Sequence, residues 1–405
     1  SYKKLREGLL KEMQWDFVAR LGPRAFETIS GEVVNVALLG LTRRPPAPDH
    51  TFAGWDVGDA KTPEEKAEGL ITRDRRKAQQ ALQIVNPNAT ISLESLRSSS
   101  RLGAHASAYF GSKPGQTDRV VRYFWEIVAP DGAYWLFMES CPDGVSDYSG
   151  KSEICLSPAE ARHQGIVEYG VRGMEAWGKP GVIFSRMREL PSGLYTEQFF
   201  DSNAYVIVPA RPDVLPAIYA FARSSAFNSV ARQFNQHLNI TRELVEQLPF
   251  DLAHWQRVAA EKYPNGLPKP HSDDPTQWLF NGHPKGSDHP LQVAVARLVG
   301  YRWPRQTGSS FPDCPALGPD GLEAHADADG IVPLSSIAGE ASAADRLRAL
   351  LADAYGADWS AAKLKELLRE WDSLEDWLRD GFFADHCRIF HQRPFVWHIW
   401  DGRKD

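Results

Sequence analysis

Long apolar runs are missing from the 405 residues: the best, Val33–Leu41, is nine long and contains Asn35. A membrane-spanning helix needs roughly 18–20 such residues, so no span is expected. Ser1–Lys11 is basic and amphipathic with no apolar stretch behind it, which does not fit a secretory leader. Cysteine is scarce, with only Cys141, Cys155, Cys314 and Cys387. Four thiols in a chain of this length make no disulfide framework, and a reducing cytoplasm is the default expectation. Catalytic signatures are missing too. There is no G-x-G-x-x-G, no G-x-x-x-x-G-K-S/T, no G-x-S-x-G and no Asn-Pro-Pro-aromatic tetrapeptide, the nearest string being Asn86-Pro87-Asn88. An excess of positive charge is also lacking: 46 Lys+Arg against 52 Asp+Glu give a net charge of −6. That excludes a polycation that coats nucleic acid, but not a site-specific DNA binder whose basic residues are locally concentrated.

What is present is an ordinary globular composition, 42% hydrophobic and 24% charged. At about 100–200 residues per domain, the length suggests two to four domains. Leu5, Leu9 and Met13 fall at helical spacing, and Trp15–Leu21 is a strand candidate. After Gly22-Pro23, Glu32–Leu41 reads as a strand buried on both faces, as in the sheet of an α/β protein. Residues 62–85 read as one charged helix, with Thr62 as N-cap, Pro63 at its first position and Glu65 completing a capping box. Further strands are expected at Val120–Val128, Ala133–Met138, Gly181–Arg186 and Ala204–Val208. Helices are expected at Ser92–Ser99, Leu215–Ser224, Ala226–Leu238 and Leu291–Leu298. Residues 307–340, rich in Gly, Pro, Ser and Asp, read as a loop or linker, and 342–383 as two acidic amphipathic helices.

Local charge departs from the acidic average in two places. Arg97–Trp125 carries Arg97, Arg101, Lys113, Arg119 and Arg122 against Asp118 alone, a net of +4. Ala210–Arg242 carries Arg211, Arg223, Arg232 and Arg242 against Asp213 alone, a net of +3. Both hold amides (Gln116; Asn228, Gln233, Asn235, Gln236 and Asn239) that can pair with adenine edges while Arg pairs with guanine. A solvated surface of mixed charge is the competing reading. Phe26, in a loop between two strand candidates, could stack on an extruded base or fill a local core. His386, Cys387 and His391 could approach one metal, but Phe382, Phe383, Phe390, Phe395 and Trp397 around them favour core packing. Asp143, Asp147 and Lys151 only faintly suggest a nuclease core, because no acid-x-Lys element accompanies them.

Several strings resemble a known family. LREGLLKEMQWDFVARLGPRAFETISGEVVNVALLGL is similar to the last part of the methyltransferase domain of Type IIG restriction–modification enzymes, the Eco57I-like group, and of the PglX-type methylases of BREX phage defence. GSKPGQTDRVVRYFWEI resembles the opening of their target-recognition domain, and NAYVIVPA with SSAFNSVARQFNQHLNITRELVEQLPF resembles its close. WLFNGHP, LQVAVARLVGYRWP and RPFVWHIWDGRKD resemble the segments that follow.

The resemblance implies an adenine-N6 DNA methyltransferase using S-adenosylmethionine, whose cofactor and catalytic motifs lie upstream of Ser1. This chain is then expected to be the C-terminal portion, inactive by itself, with double-stranded DNA and further subunits of a defence system as partners and no membrane. Whether the intact protein also restricts DNA is left open. Phe26 takes the position of the aromatic that stacks on the flipped adenine. Lys113, Gln116, Thr117, Arg119 and Arg122 fall on the opening turn and the basic positions after it, although Gly111, Gly115 and Thr117 depart from the family's usual Thr-Gly order. Arg232, Asn235, Asn239 and Thr241 fall on the closing segment.

The expected architecture is a multidomain α+β protein. Residues 1–48 would be the remnant of an α/β methyltransferase sheet and 49–90 a helical excursion. Residues 91–250 would form an α+β target-recognition domain, 251–340 a connecting region and 341–405 a helical end. A non-catalytic interaction module of a phage-defence complex, docking through the acidic C-terminal helices, is the alternative.

Overall fold

The computed structural model describes residues 2–26, 35–86, 89–93, 100–166, 168–187, 189–234 and 239–399. The chain divides into two compact units, one built from 1–106 and 225–254, the other from 107–224 and 255–405. The mixed α+β character matches expectation, but the units cut across the expected domain boundaries.

In the first unit, α1 (Lys3–Glu12) leads into β1 (Gln14–Gly22), followed by β2 (Val36–Thr42) and β3 (Thr51–Asp56). Next come α2 (Pro63–Thr72), β4 (Arg76–Gln79) and α3 (Gln80–Gln83). The sheet order is β2-β1-β3-β4, with β1 and β3 parallel and the other two pairs antiparallel. Residues 49–90 therefore complete the sheet begun by β1, and are not a separate excursion. Leu10, Trp15, Val18, Phe52, Ala78 and Ala89 form its core.

The run Glu32–Leu41 differs from its expected role. Its described part, β2, is an edge strand with one neighbour among the described residues; Leu38 and Leu39 are each 46% exposed. The capping box at Thr62 and Glu65 forms as read, but the helix ends at Thr72 instead of continuing to residue 85. Beyond it, Arg76–Gln79 pairs with Thr51–Gly54, and that ladder overrides the local helical pattern. Gln80 then locks the corner: its Oε1 accepts from Trp15 N at 2.9 Å and its Nε2 donates to Leu10 O and Met13 O, both at 2.8 Å. Lys66 of the charged helix is buried and donates to Leu21 O at 2.8 Å and Ala60 O at 2.5 Å, so its ammonium pins α2 to the end of β1. The expected helix Ser92–Ser99 lies mostly outside the described residues.

The second unit holds two four-stranded sheets. One has the order β10-β9-β12-β5, from Ser192–Tyr195, Gly181–Ser185, Ala204–Pro209 and Ala106–Phe110. The other has the order β11-β7-β8-β6, from Phe199–Phe200, Trp135–Glu139, Glu153–Leu156 and Val121–Tyr123. The expected strand Val120–Val128 shrinks to β6, because a 3-10 turn takes Phe124–Glu126. α6 (Leu215–Ala222) packs beside the first sheet and, like β9, is buried along almost its whole length.

The region after residue 255 is part of this unit's core. Trp278 and Phe311 pack on Phe137 of β7, with ring centroids 5.3 and 4.7 Å from it. Trp125 donates its indole N–H to Arg393 O at 2.7 Å. α10 (Pro290–Leu298), α11 (Ala343–Tyr355), α12 (Ala361–Leu368), α13 (Leu374–Asp376) and α14 (Phe382–Ile389) build a helical layer around Leu298, Leu347, Leu351, Leu374 and Trp377. The expected pair of acidic helices is thus several shorter ones, with a π turn at Trp377–Gly381. Residues 307–340 contain little regular structure, yet they are tied down by ion pairs and are not a free linker. No described helix is long and apolar enough to cross a membrane.

Candidate nucleic-acid interface

The segment Gly111–Arg122 leaves the end of β5 and is held by backbone pairing before any side chain acts. Gly111 approaches Asp201 so closely that an added Cβ would stand 1.8 Å from that residue's carbonyl oxygen. Ser112 N donates to Phe200 O at 2.9 Å. Lys113 and Gly170 exchange both backbone hydrogen bonds, at 2.9 and 3.0 Å. Gly115 packs against Glu168 with no room for a side chain. Both glycines of the sequence motif are therefore explained by close approach.

Gln116 then turns through a left-handed conformation (φ 52°, ψ 53°), which costs a non-glycine residue about 1 kcal/mol, and opens the short α4 (Thr117–Val120). Its Oε1 accepts from Arg119 Nη1 at 2.9 Å, so the amide and the guanidinium act as one unit. Lys113, Gln116, Thr117 and Arg119 are exposed, and Arg122 is half-buried. Arg122 donates through Nη1 to Asp118 O at 2.7 Å and Val121 O at 2.6 Å. Five of the residues singled out in the sequence thus share one rigid turn. Beside it, Tyr123 stacks on Trp125 at 4.6 Å and on His391 at 5.2 Å.

The other candidates belong to the first unit. Phe26 is 51% exposed. Arg232 sits half-buried on α7 (Ser225–Phe234), and Asn239 is exposed. Thr241 caps α8 (Arg242–Glu246), its side chain accepting from Leu244 N. Asn235 lies outside the described residues. The cations of the second basic stretch are partly taken up by neighbours. The stretch is divided between the two units; Arg211 pairs with Asp213 at 2.9 Å, and Arg242 pairs with Glu246 at 3.2 Å. Arg223 is spent on the carbonyls of Gly144, Val145 and Ser192. In the first stretch, Arg97 lies outside the described residues and Arg101 donates to Gln247 O at 3.1 Å.

The metal and nuclease alternatives are absorbed by packing. His386 is buried: its Nε2 accepts from Phe395 N and Val396 N, and its Nδ1 faces Gln292 Oε1 at 3.2 Å. Both ring nitrogens are occupied, and burial pushes the imidazole down to about 4. His391 lies in the Tyr123 stack instead. Asp143 caps its own loop, Asp147 accepts from Tyr219 OH at 2.5 Å, and Lys151 pairs with Glu139 at 2.8 Å with both side chains fully buried. Among the described residues no three His, Cys, Asp or Glu side chains converge on a metal position. Cys155 is buried against Tyr169, and burial pushes its thiol up to about 12.

One arrangement escaped the sequence reading. The guanidinium carbons of Arg172 and Arg186 lie 5.5 and 5.3 Å from the centroid of the Phe110 ring. The three residues are 62 and 76 positions apart, so no spacing signal could have joined them.

No protein-family model matches the chain, and no curated protein matches it. Solved structures do. The HsdS subunit from Thermoanaerobacter tengcongensis is similar over 40% of this chain and 35% of its own, at 12% identity and a TM-score of 0.27. The Type ISP restriction–modification enzyme LlaGI, solved as a nuclease-deletion mutant with a DNA substrate mimic, is similar over 64% and 33%, at 9% identity and 0.33. The type IIG restriction endonuclease BpuSI is similar over 64% and 40%, at 11% identity and 0.29. The chain spans between a third and two fifths of the length of these proteins.

Proposed function

We propose that this chain is the DNA target-recognition portion of an S-adenosylmethionine-dependent adenine-N6 methyltransferase of a restriction–modification or phage-defence system. The observation that carries the reading is the turn Lys113–Arg122, where three cations and an amide stand on a backbone held by two glycines and a strand-like pairing. Rigid support matters because base readout depends on placing donors to within fractions of an ångström. In this reading Lys113 and Arg122 face phosphates, while the hydrogen-bonded Gln116–Arg119 pair reaches base edges. Arg232 and Asn239 contribute further DNA contacts from the first unit, and Asn235, outside the described residues, is assigned to DNA on the resemblance alone. Phe26, with half its surface open, stacks on the extruded adenine.

S-adenosylmethionine would supply the methyl group to the exocyclic amine of that adenine. No residue of this chain is assigned to hold it, since neither the glycine motif nor the Asn-Pro-Pro-aromatic tetrapeptide is present. The rival docking role for the C-terminal helices draws less support, because their charges are largely paired among themselves: Arg348 with Asp345 and Glu375, Arg379 with Asp376 and Asp380, Lys363 with Glu366.

Fluorescence anisotropy with a labelled duplex tests the reading. The double variant Arg119→Ala/Arg122→Ala should bind at least tenfold more weakly at ~100 mM salt, with the salt slope falling by nearly one for every phosphate-facing cation removed. Unchanged affinity would sink the assignment.

A further inference from the structure

Arg172 and Arg186 are set apart from most other arginines of their unit. Arg211, Arg297, Arg346, Arg348, Arg379 and Arg388 all pair with carboxylates. The guanidinium groups of Arg172 and Arg186 form no ion pair and no hydrogen bond with a carboxylate among the described residues, although the Arg186 charge reaches Asp201, and the Nε–H of Arg186 is enclosed without an acceptor. What holds them is the Phe110 ring. A cation over an aromatic face gains about 0.5–1 kcal/mol at exposed sites. Two cations gathered at one ring also repel each other, a cost that an anion would remove.

The backbone enforces the arrangement. Ser112 Oγ donates to Arg172 O at 2.9 Å and accepts from Arg172 N at 3.0 Å. Gly173, at φ +69°, follows at once; a Cβ there would meet the Phe200 ring at 2.6 Å and Phe110 O at 2.7 Å, so the chain can turn there only as glycine. Lys113, exposed and without a side-chain partner among the described residues, adjoins Ser112 and pairs with Gly170. Asp201 is the carboxylate that the Arg186 charge reaches, without forming an ion pair with it. Burial pushes it up, and it already accepts from Asn203 N at 3.1 Å and Asn203 Nδ2 at 2.6 Å.

We propose that Arg172 and Arg186, aimed by Phe110 and joined by Lys113, form a clamp for the phosphodiester backbone of duplex DNA. The forked donors of arginine suit phosphate oxygens, and two of them on one platform span adjacent non-bridging oxygens. This inference rests on the DNA-recognition reading and adds two phosphate-binding groups, Arg172 and Arg186, that reading does not contain.

The test is anisotropy with a labelled duplex over a salt series, using the full chain, Arg172→Ala/Arg186→Ala, Arg172→Lys/Arg186→Lys and Arg119→Ala/Arg122→Ala, with a thermal melt of each. The clamp predicts that the Arg172→Ala/Arg186→Ala variant binds at least tenfold more weakly at ~100 mM salt, with the slope of log K against log salt reduced by about two. The lysine variant should keep the native slope, since charge number is preserved. Native affinity and slope in both of these variants, alongside weakened binding in Arg119→Ala/Arg122→Ala, would overturn the clamp and leave DNA recognition standing. A native chain that binds no duplex would overturn both.

Discussion

Arg297 of α10 grips Asp320 with both terminal nitrogens, Nη1 to Oδ2 at 2.6 Å and Nη2 to Oδ1 at 2.8 Å, while its side chain stays 3% exposed. The guanidinium also donates to Gly282 O at 3.0 Å. One pair thus fastens the irregular segment after residue 307 to a buried helix. Arg297→Ala strands a partly enclosed carboxylate and should cost about 3 kcal/mol by chemical denaturation.

The same pair sets an acid limit. Burial alone would raise the Asp320 carboxyl, but the Arg297 hydrogen bonds, Leu322 N–H and the Arg297 charge outweigh it and bring it down to about 2, below the usual 3.8. A lowered folded value means stability that is present above about pH 4 and lost as pH falls through 2. The difference is about 2 kcal/mol. Melting curves between pH 2 and 5 should show this loss in the native chain and not in Asp320→Asn.

His386 gives a second window with the same direction. Its folded value of about 4 lies below the ordinary 6.5, so the unfolded chain binds the extra proton first. Stability should be complete above pH 6.5 and decline towards pH 4 by about 3 kcal/mol. Comparing the native chain with His386→Gln isolates this term; identical pH profiles would show that the imidazole titrates alike in the folded and unfolded chain.

Lys151 and Glu139 form a fully buried ion pair, with Glu139 Oε1 also accepting from Thr196 N at 2.9 Å and Thr196 Oγ1 at 2.6 Å. Lys151→Ala leaves a charge in the core and should cost about 3–5 kcal/mol. Lys151→Met with Glu139→Gln removes both charges while retaining an acceptor for Thr196, and should recover most of that loss. Equal damage from the single and double variants would contradict the pairing.

Gly111→Ala would place a methyl 1.8 Å from Asp201 O and push the Lys113–Arg122 turn off its support. Duplex binding should fall at least tenfold, with a melt lowered as well. Gly165→Ala meets no neighbour, though it carries left-handed strain at φ +72°, and should lower the melt only modestly while leaving binding unchanged.

Local signals carried much of the architecture. The box at Thr62 and Glu65, the strands Gly181–Ser185 and Ala204–Pro209, and the helices Leu215–Ala222 and Pro290–Leu298 are legible because caps, prolines and apolar periods act within a few residues. β4 was not legible: Arg76–Gln79 looks helical until β3 offers it a ladder. The edge position of β2 was hidden as well, since an apolar run is the same string whether one neighbour or two flank it.

The candidate site divides the same way. The exposed cations and amide of Lys113–Arg122 and the two glycines behind them are short-range features, so the chain itself determined that a basic, tightly turned segment exists. Which of its arginines remain open for a ligand is a question of partners. Asp213 takes Arg211 from two residues away, whereas the carbonyls that hold Arg223 lie up to 79 residues off. Phe110, Arg172 and Arg186 meet only because two strands and a glycine turn bring distant backbone together. Charge type is written residue by residue; charge availability is decided by what the fold places within 4 Å.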